Sequence, residues 1–213
     1  MKIHTLNNVI VHEYPEKIYV IKNLISHQFC NKIVNILKHV NFNNRISYQI
    51  KNNVMCEELT IYKLIELANS QLNIDEQTIL KNLTIMLYSL YIRSIVYIIN
   101  AVNEYIFDNN TIPRMTTMLL RKIDGATRQH VDSALMDNSV RLLSCVIAYN
   151  DDYTDGLFHF PNQNIDLKLE MGDILLFPPY WTHPHYTDTP VGNVRYTSTF
   201  WFVDDNTEGL SIK

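Results

Sequence analysis

Short runs of β-branched and aromatic residues, separated by turn residues, fill the second half of the chain. Asp124-Gly125, Asp155-Gly156 and Gly172-Asp173 mark three of the turns, and such a succession of short strands is typical of an antiparallel β-fold. The predicted strands span residues 115–121, 141–149, 157–160, 165–169, 174–177 and 194–203. We expect them to form a double-stranded β-helix, or jelly roll.

Apolar residues at helical spacing dominate the first half of the chain. A strand-like run at residues 17–21 precedes Ser26, which is suited to cap a helix predicted by the apolar positions within residues 29–37. Two further stretches, 59–67 and 79–106, repeat at the same period and predict helices.

Together these patterns predict an α+β fold. We expect residues 111–213 to form the jelly-roll core, and residues 1–110 to form a helical N-terminal support region of the same domain, with its helices packed on one face of the core. A chain of 213 residues is long enough to bury a substantial core in this way.

One apolar stretch, residues 83–106, approaches the length of a membrane span. Arg93 falls in its middle, and a charge at the centre of a bilayer costs at least ~2.5 kcal/mol. We therefore expect a long helix packed against the sheet, and no membrane partner.

Net charge bears on the class of partner that the protein can bind. The formal charge is -4, which gives no reason to expect a nucleic-acid partner.

Cys30, Cys56 and Cys145 are odd in number and lack C-x-x-C spacing, so we expect free thiols in a reducing, cytoplasmic setting. The N-terminus lacks the apolar run of a secretion signal. Few glycines with many Ile, Asn and Tyr residues suit an AT-rich coding genome, a viral one included.

His130 and Asp132 form an H-x-D pair, and His185 follows much later in the chain. On a strand, residues two apart point to the same side, so the pair delivers both side chains into one cavity. The intervening strands allow the chain to cross the barrel and return beside the pair. Two imidazoles and one carboxylate bind three adjacent positions of an octahedral iron and leave the opposite face open for a co-substrate and O2. We therefore predict that His130, Asp132 and His185 bind Fe(II).

Two other histidines are alternatives for the third ligand. We favour His185 because it lies ten residues before Arg195, a separation that lets the chain turn and return with the guanidinium facing the same cavity. His183 is then interpreted as a residue of the cavity mouth or a hydrogen-bond donor behind a ligand. His159 is interpreted as a partly buried strand residue that can face the substrate.

Arg195 lies in an otherwise apolar and hydroxylic strand, where a buried guanidinium requires an anionic partner. Its rigid two-pronged fork suits a carboxylate, so it can hold the far end of a dicarboxylic acid whose near end chelates the metal. Alternation along the strand places Thr197 and Thr199 on the same face, and either hydroxyl can donate to that carboxylate.

The region from about residue 115 to 203 resembles the 2-oxoglutarate and Fe(II)-dependent oxygenase superfamily, and within it the prolyl 4-hydroxylase group. The resemblance rests on the order and spacing of the residues above and on four further strings. These are RLLSCVIAYN at 141–150, DGLFHFP at 155–161, GDILLFP at 172–178 and RYTSTFW at 195–201.

This resemblance implies His130, Asp132 and His185 as iron ligands and Arg195 as the clamp for 2-oxoglutarate. From the alternation along the strand, we take Thr197 as the further co-substrate contact. It implies a dioxygenase that uses Fe(II), 2-oxoglutarate and O2, with ascorbate as a reductant. Hydroxylation of an unactivated C–H bond, with a peptidyl proline as the preferred substrate, would release succinate and CO2.

Two positions depart from the prolyl hydroxylase pattern, which usually has a tyrosine at the position of Ala148 and a glycine at that of Asp155. The departures leave the iron chemistry intact and keep other substrates open: another protein side chain, a free amino acid or a nucleobase. The alternative function is a metal-binding jelly-roll protein without turnover, which would keep the histidines but would not need Arg195.

Four aromatic residues are expected near the mouth of the cavity, where aromatic faces suit a proline-rich segment in an extended conformation. They are Tyr153, Tyr180, Trp181 and Tyr186. We therefore expect a polypeptide substrate more than a small molecule.

Overall fold

The structure, a computed structural model, describes residues 1–6, 9–39, 49–50, 53–54, 56–60, 114–133, 135–136 and 139–204, with isolated positions between 62 and 89. It contains helix α1 (His27–His39) and a 3₁₀ turn (Pro15–Lys17). The strands, in chain order, are β1 (Lys2–Leu6), β2 (Val9–Tyr14), β3 (Ile18–Lys22), β4 (Gln49–Ile50), β5 (Asn53–Val54), β6 (Cys56–Thr60), β7 (Arg114–Met115), β8 (Leu119–Ile123), β9 (Thr127–His130), β10 (Leu135–Met136), β11 (Ser139–Ala148), β12 (Thr154–Asp155), β13 (Phe158–Phe160), β14 (Ile165–Leu167), β15 (Ile174–Phe177), β16 (His185–Thr187), β17 (Pro190–Val191) and β18 (Arg195–Asp204).

Two antiparallel sheets make up most of the described chain. The large sheet has the order β1-β2-β3-β15-β11-β18-β8-β6, with β10 paired to β11 and β7 paired to β18. The smaller sheet has the order β14-β13-β16-β9, and β4-β5 and β12-β17 are separate short pairs. This arrangement of antiparallel strands beside a helix confirms the predicted α+β jelly roll.

Alternate residues of β11 contribute to two cores. Leu143 and Cys145 belong to a buried cluster that includes Ile33 of α1. Val146 belongs to a second cluster that includes Phe160 of the smaller sheet. Because successive side chains of a strand point to opposite faces, the large sheet packs against α1 on one face and against the smaller sheet on the other. The predicted packing of a helix on one face is confirmed for α1.

Several predicted strands match the structure within a few residues: 141–149 in β11, 174–177 in β15 and 194–203 in β18. The strand predicted at 115–121 is interrupted, because residues 116–118 separate β7 from β8. Strand β16 was not predicted, and β9 was expected only as the strand that would carry both His130 and Asp132.

The first sixty residues contribute strands as well as a helix to the fold. Strands β1, β2, β3 and β6 all belong to the large sheet. Leu59 pairs with Leu120 of β8, so the helix predicted at 59–67 is wrong at its start, although Tyr62, Lys63 and Glu66 are helical. The view of residues 1–110 as a helical support is corrected accordingly. The division of the chain near residue 110 stays a prediction.

Most of the helix predicted at 79–106 lies outside the described residues, and the described positions 81, 82, 85 and 89 are helical. Within the described part of the chain, no helix is both long enough and apolar enough to cross a membrane. Cys30, Cys56 and Cys145 are all buried, and none of them forms a disulfide with another described residue.

Candidate active site

Strands β9 and β16 are neighbours in the smaller sheet and place His130 directly opposite His185. Asp132 follows β9 in a segment without regular structure, so the H-x-D pair is not carried by one strand as predicted. The side chains still converge: Oδ1 of Asp132 lies 3.5 Å from Nε2 of His130 and 3.8 Å from Nε2 of His185. One ligand atom from each residue lies within 4.8 Å of the other two, so the group can hold a metal ion.

The second nitrogen of each imidazole is held by a backbone carbonyl. Nδ1 of His130 donates to the carbonyl oxygen of Arg128 at 2.8 Å, and Nδ1 of His185 donates to that of His183 at 3.1 Å. Because a carbonyl can only accept, each neutral ring must carry its proton on Nδ1 and present a lone pair on Nε2. Both rings are therefore fixed in the tautomer that a metal ion at Nε2 requires.

Asp132 presents one of its two oxygens to the histidines, while the other is held from behind. Its Oδ2 accepts a hydrogen bond from the Ser144 hydroxyl at 2.7 Å and another from the Trp201 indole nitrogen at 3.1 Å. Arg141 stacks on the Trp201 ring at 3.6 Å and donates to the backbone carbonyl of Asp132 at 2.6 Å. These contacts leave Oδ1 available to bind a cation through a single oxygen.

The pKa values of the three groups follow from burial and from one another. Burial raises the pKa of Asp132, but the neighbouring His130, the positive charge that His185 carries when it is protonated, and the Ser144 hydroxyl together lower it well below its ordinary value. Burial also lowers the pKa of His185. For His130 burial acts in the same direction, but Asp132 and the carbonyl of Arg128 outweigh it and raise the pKa. The site therefore holds a carboxylate anion at neutral pH, as binding of a divalent cation requires.

His183, an alternative ligand, uses both ring nitrogens elsewhere. Its Nε2 donates to the carbonyl oxygen of Glu16 at 2.7 Å, and its Nδ1 accepts from the Thr182 hydroxyl at 2.8 Å. Its backbone carbonyl orients His185. His183 therefore supports a candidate ligand through its backbone and does not present a nitrogen to the site.

His159 is likewise occupied on both ring nitrogens. Asp166 and Asp188 each place a carboxylate oxygen 2.6 Å from one of them. The ring stacks on Tyr186 at a centroid distance of 4.5 Å. Of the other aromatics expected near the mouth, Trp181 is 80% exposed, whereas Tyr153 is buried and offers no exposed ring face there.

Arg195 begins β18 and is only 1% exposed. Its guanidinium donates to the carbonyl oxygen of Gly156 at 2.6 Å and to the Thr187 hydroxyl at 2.9 Å, while its Nε has no hydrogen-bond partner among the described residues. Nor does any described carboxylate form an ion pair with it. Burial lowers its pKa, and a buried cation without an anion is strongly unfavourable. This environment is suited to an anionic ligand.

Thr197 and Thr199 differ in the availability of their hydroxyl groups. Both share a face of β18 with Arg195, in line with the predicted alternation. The Thr199 hydroxyl accepts a hydrogen bond from Arg121 at 3.3 Å. The Thr197 hydroxyl is buried and has no partner within the described part of the chain. Thr197 is therefore the better placed of the two to donate to an anion.

Three residues of the site had no role predicted from the sequence: Ser144, Thr187 and Trp201. The alternation that placed Thr197 inside also places Trp201 there, so a signal for it existed. Ser144 and Thr187 reach the site only because their strands pair with others in the sheets, and a single sequence carries no local sign of that. Asp155 has φ 53°, a left-handed conformation, which suits the glycine that the prolyl hydroxylase pattern usually has at this position.

The side chains of the site fit both the metal ion and the co-substrate that the sequence implied. Two imidazole nitrogens and one carboxylate oxygen suit Fe(II) with an open coordination face. The unpaired Nε of Arg195 and the unpaired hydroxyl of Thr197, both buried, suit the distal carboxylate of a dicarboxylic acid.

No family model matches the sequence, and no curated protein matches it. Two solved structures are similar over most of their length. One is a viral collagen prolyl hydroxylase from Paramecium bursaria Chlorella virus-1 in complex with 2OG, with 13% identity over 87% of this chain and 94% of that one, at a TM-score of 0.54. The other is a prolyl hydroxylase from Trichoplax adhaerens in complex with a peptide fragment of the hypoxia inducible factor oxygen degradation domain. Its identity is 15% over 92% of this chain and 87% of that one, at a TM-score of 0.57. The chain therefore has the fold of these prolyl hydroxylases.

Proposed function

We propose that the protein is an Fe(II)- and 2-oxoglutarate-dependent dioxygenase. One observation carries the proposal: three metal-binding side chains converge in the same domain as a buried arginine that lacks a described carboxylate partner. A metal-binding protein without turnover has no need for that arginine. Residues 111–213 contain all the residues of this arrangement, so we propose this region as the catalytic core.

In this proposal His130, Asp132 and His185 hold the iron through Nε2, Oδ1 and Nε2. Arg195 binds the distal carboxylate of 2-oxoglutarate, and Thr197 donates to the same group. When bound, iron and 2-oxoglutarate supply an oxidant from O2, with release of succinate and CO2 and hydroxylation of a C–H bond. Ser144 and Trp201 keep Asp132 oriented, and the walls around Arg195 exclude water from the charged end of the co-substrate.

We propose a peptidyl proline as the substrate. One structure of the same fold was solved with a peptide fragment bound. The exposed Trp181 and Tyr180, in the segment that leads to His185, offer aromatic faces for an extended proline-containing segment. The three buried cysteines, none of them in a disulfide among the described residues, support a reducing, cytoplasmic setting. Ascorbate as a reductant stays a prediction.

The first experiment combines metal and co-substrate binding with turnover. Anaerobic addition of Fe(II) and 2-oxoglutarate should give the weak visible charge-transfer band of the chelate. His130→Ala, Asp132→Ala and His185→Ala should each abolish succinate production, because loss of one ligand destroys the facial geometry. Metal binding without the band would instead support the metal-binding jelly-roll alternative.

Arg195→Ala tests the co-substrate clamp separately from the metal. Loss of the buried counter-charge should weaken 2-oxoglutarate binding by roughly 3 to 5 kcal/mol, about two to four orders of magnitude. Iron content should stay near wild type. Arg128→Ala, which removes an exposed arginine, is the matched control. Equal 2-oxoglutarate dependence in wild type and Arg195→Ala would contradict the assignment.

The substrate is tested with a proline-rich peptide and a matched peptide that has alanine at every proline. We expect the first to gain the mass of one oxygen atom in a 2-oxoglutarate-dependent reaction, and the second to remain unchanged. Turnover only on a free amino acid, another side chain or a nucleoside would refute the prolyl assignment and leave the iron chemistry standing.

A further inference from the structure

Tyr153 lies in the loop between β11 and β12, where its buried side chain packs against Gly156, the residue whose backbone carbonyl accepts a hydrogen bond from the guanidinium of Arg195. Burial raises the pKa of the Tyr153 hydroxyl, and the charge of Arg195 only partly offsets the rise. The phenol is therefore neutral at physiological pH and keeps a proton to donate. The sequence placed Tyr153 among the aromatics near the mouth of the cavity and did not predict that it lies close to Arg195.

Contacts with Lys168 and Gly156 hold the Tyr153 ring in this position. Nζ of Lys168 lies 3.8 Å from the ring centroid and donates to the backbone carbonyls of Tyr153 and Asp155 at 2.6 and 3.0 Å. Gly156 has φ 63°, and a Cβ added to it would lie 2.9 Å from Cε2 of the ring. A larger residue than glycine would displace the ring. The loop is therefore shaped around a tyrosine that points inward.

Several hydrogen-bond donors around Arg195 have no acceptor among the described residues. A guanidinium has donors only, so the Tyr153 hydroxyl can accept from Arg195 but must direct its own proton to a third group. The Nε of Arg195 and the hydroxyl of Thr197 are also buried and unpaired within the described chain. An anionic acceptor beside these groups would satisfy all three, and Lys168 adds a second positive charge close to Arg195.

We propose that Tyr153 is a specificity-determining residue that donates a hydrogen bond to the distal carboxylate of the 2-oxo acid co-substrate. The inference rests on the proposed function and extends it, because it assigns the preference for a dicarboxylate to a loop residue in addition to Arg195. A 2-oxo acid without a distal carboxylate leaves the hydroxyl, the Nε and the guanidinium charge unsatisfied, and should bind weakly.

The test measures binding and not turnover, with Zn(II)-loaded full-length protein, in which no oxidation occurs. Isothermal titration calorimetry compares 2-oxoglutarate with 2-oxopentanoate, in which a methyl group replaces the distal carboxylate. The variants are Tyr153→Phe, Arg195→Ala and Tyr149→Phe. Tyr149 is the matched control because its buried hydroxyl bonds to Ser198 at 2.6 Å, within the cluster that packs on α1.

We expect Tyr153→Phe to weaken 2-oxoglutarate binding by roughly ten- to a hundredfold, the usual effect of losing a hydrogen bond to a charged group. Binding of 2-oxopentanoate should not change, and Tyr149→Phe should bind both ligands as wild type does. No loss in Tyr153→Phe, or an equal loss for both ligands, would overturn the role of Tyr153.

Failure of the proposed function gives a different result. If wild type does not bind 2-oxoglutarate, or if Arg195→Ala binds it as tightly as wild type, the co-substrate site itself is wrong and the role of Tyr153 falls with it. If Arg195→Ala weakens binding and Tyr153→Phe does not, the co-substrate site stands and only the role of Tyr153 is overturned.

Discussion

Replacing Trp201 with phenylalanine removes one of the two hydrogen bonds that hold the outer oxygen of Asp132. The indole nitrogen donates to Oδ2 at 3.1 Å, and the Ser144 hydroxyl donates to the same atom at 2.7 Å. Phenylalanine keeps an aromatic face for Arg141, which stacks on the indole. The substitution therefore tests the hydrogen bond more than the packing, and Ser144→Ala tests the second donor independently.

The expected magnitude follows from the charge of the acceptor. A hydrogen bond to a charged group contributes roughly 1.5 to 3 kcal/mol. Loss of such a partner behind a metal ligand commonly lowers metal affinity by about 10- to 100-fold, and the two ranges agree because a tenfold change corresponds to about 1.4 kcal/mol. Ser144 makes the shorter bond, so we expect Ser144→Ala to have the larger effect. The double variant should lose more than either single variant, without strict additivity, because both donors share Oδ2.

The assay is competitive titration of Fe(II) or Mn(II) into the metal-free protein under anaerobic conditions. Trp181→Phe is the matched control. It is the same substitution at an indole that is 80% exposed and does not bond to Asp132. Wild-type metal affinity in both Trp201→Phe and Ser144→Ala would refute the view that these contacts fix Asp132 as a ligand. A fall in thermal stability without a fall in affinity would assign them to folding alone.

Two further predictions concern histidines outside the metal group. His183→Ala should keep measurable succinate production, because the carbonyl that orients His185 belongs to the backbone. The variant should lose roughly 1 to 3 kcal/mol of stability, because the ring's hydrogen bonds to Glu16 and Thr182 are lost. An inactive variant with wild-type stability would make His183 a ligand. Burial lowers the pKa of His159, but Asp188 and Asp166 outweigh it and raise the pKa. Its stabilising contribution should therefore be complete below about pH 6.5 and be lost as the pH rises through the raised value. The difference in Tm between wild type and His159→Gln should shrink from about pH 6 to pH 9, and a difference independent of pH would contradict this account.

Strands with a clear apolar alternation could be predicted, whereas strands held by distant partners could not. β11 and β18 carry long β-branched and aromatic runs, and their positions were predicted within a few residues. β9 reads Thr-Arg-Gln-His and β16 reads His-Tyr-Thr, with no local pattern of a strand. Leu59 fits a helical period, but it lies in the edge strand β6 of the large sheet and pairs with Leu120 of β8. Tertiary pairing overrides local propensity in such segments.

The predicted site residues carry a signal in the sequence, either a short motif or a spacing, that would not have placed Tyr153 beside Arg195. His130, Asp132 and Arg195 were identified because their chemistry is recognisable in a short string, and His185 because of its spacing to Arg195. Tyr153 lies in a polar turn, where a tyrosine is ordinarily a surface residue. Its burial depends on Gly156, on Lys168 and on the pairing of β12 with β17, which are visible only in three dimensions.

Charge balance joins the metal group to the pocket around Arg195. A divalent cation, the carboxylate of Asp132 and the guanidinium of Arg195 together carry a net double positive charge. A 2-oxo dicarboxylate neutralises that charge with one carboxylate at the metal and the other at Arg195. A neutral or monocarboxylate ligand would leave Arg195 buried without an anion, the arrangement that is most unfavourable in a dry interior. The same balance explains why Asp132 is the only carboxylate among the described groups that converge on the metal position, since another would compete with the co-substrate for the cation.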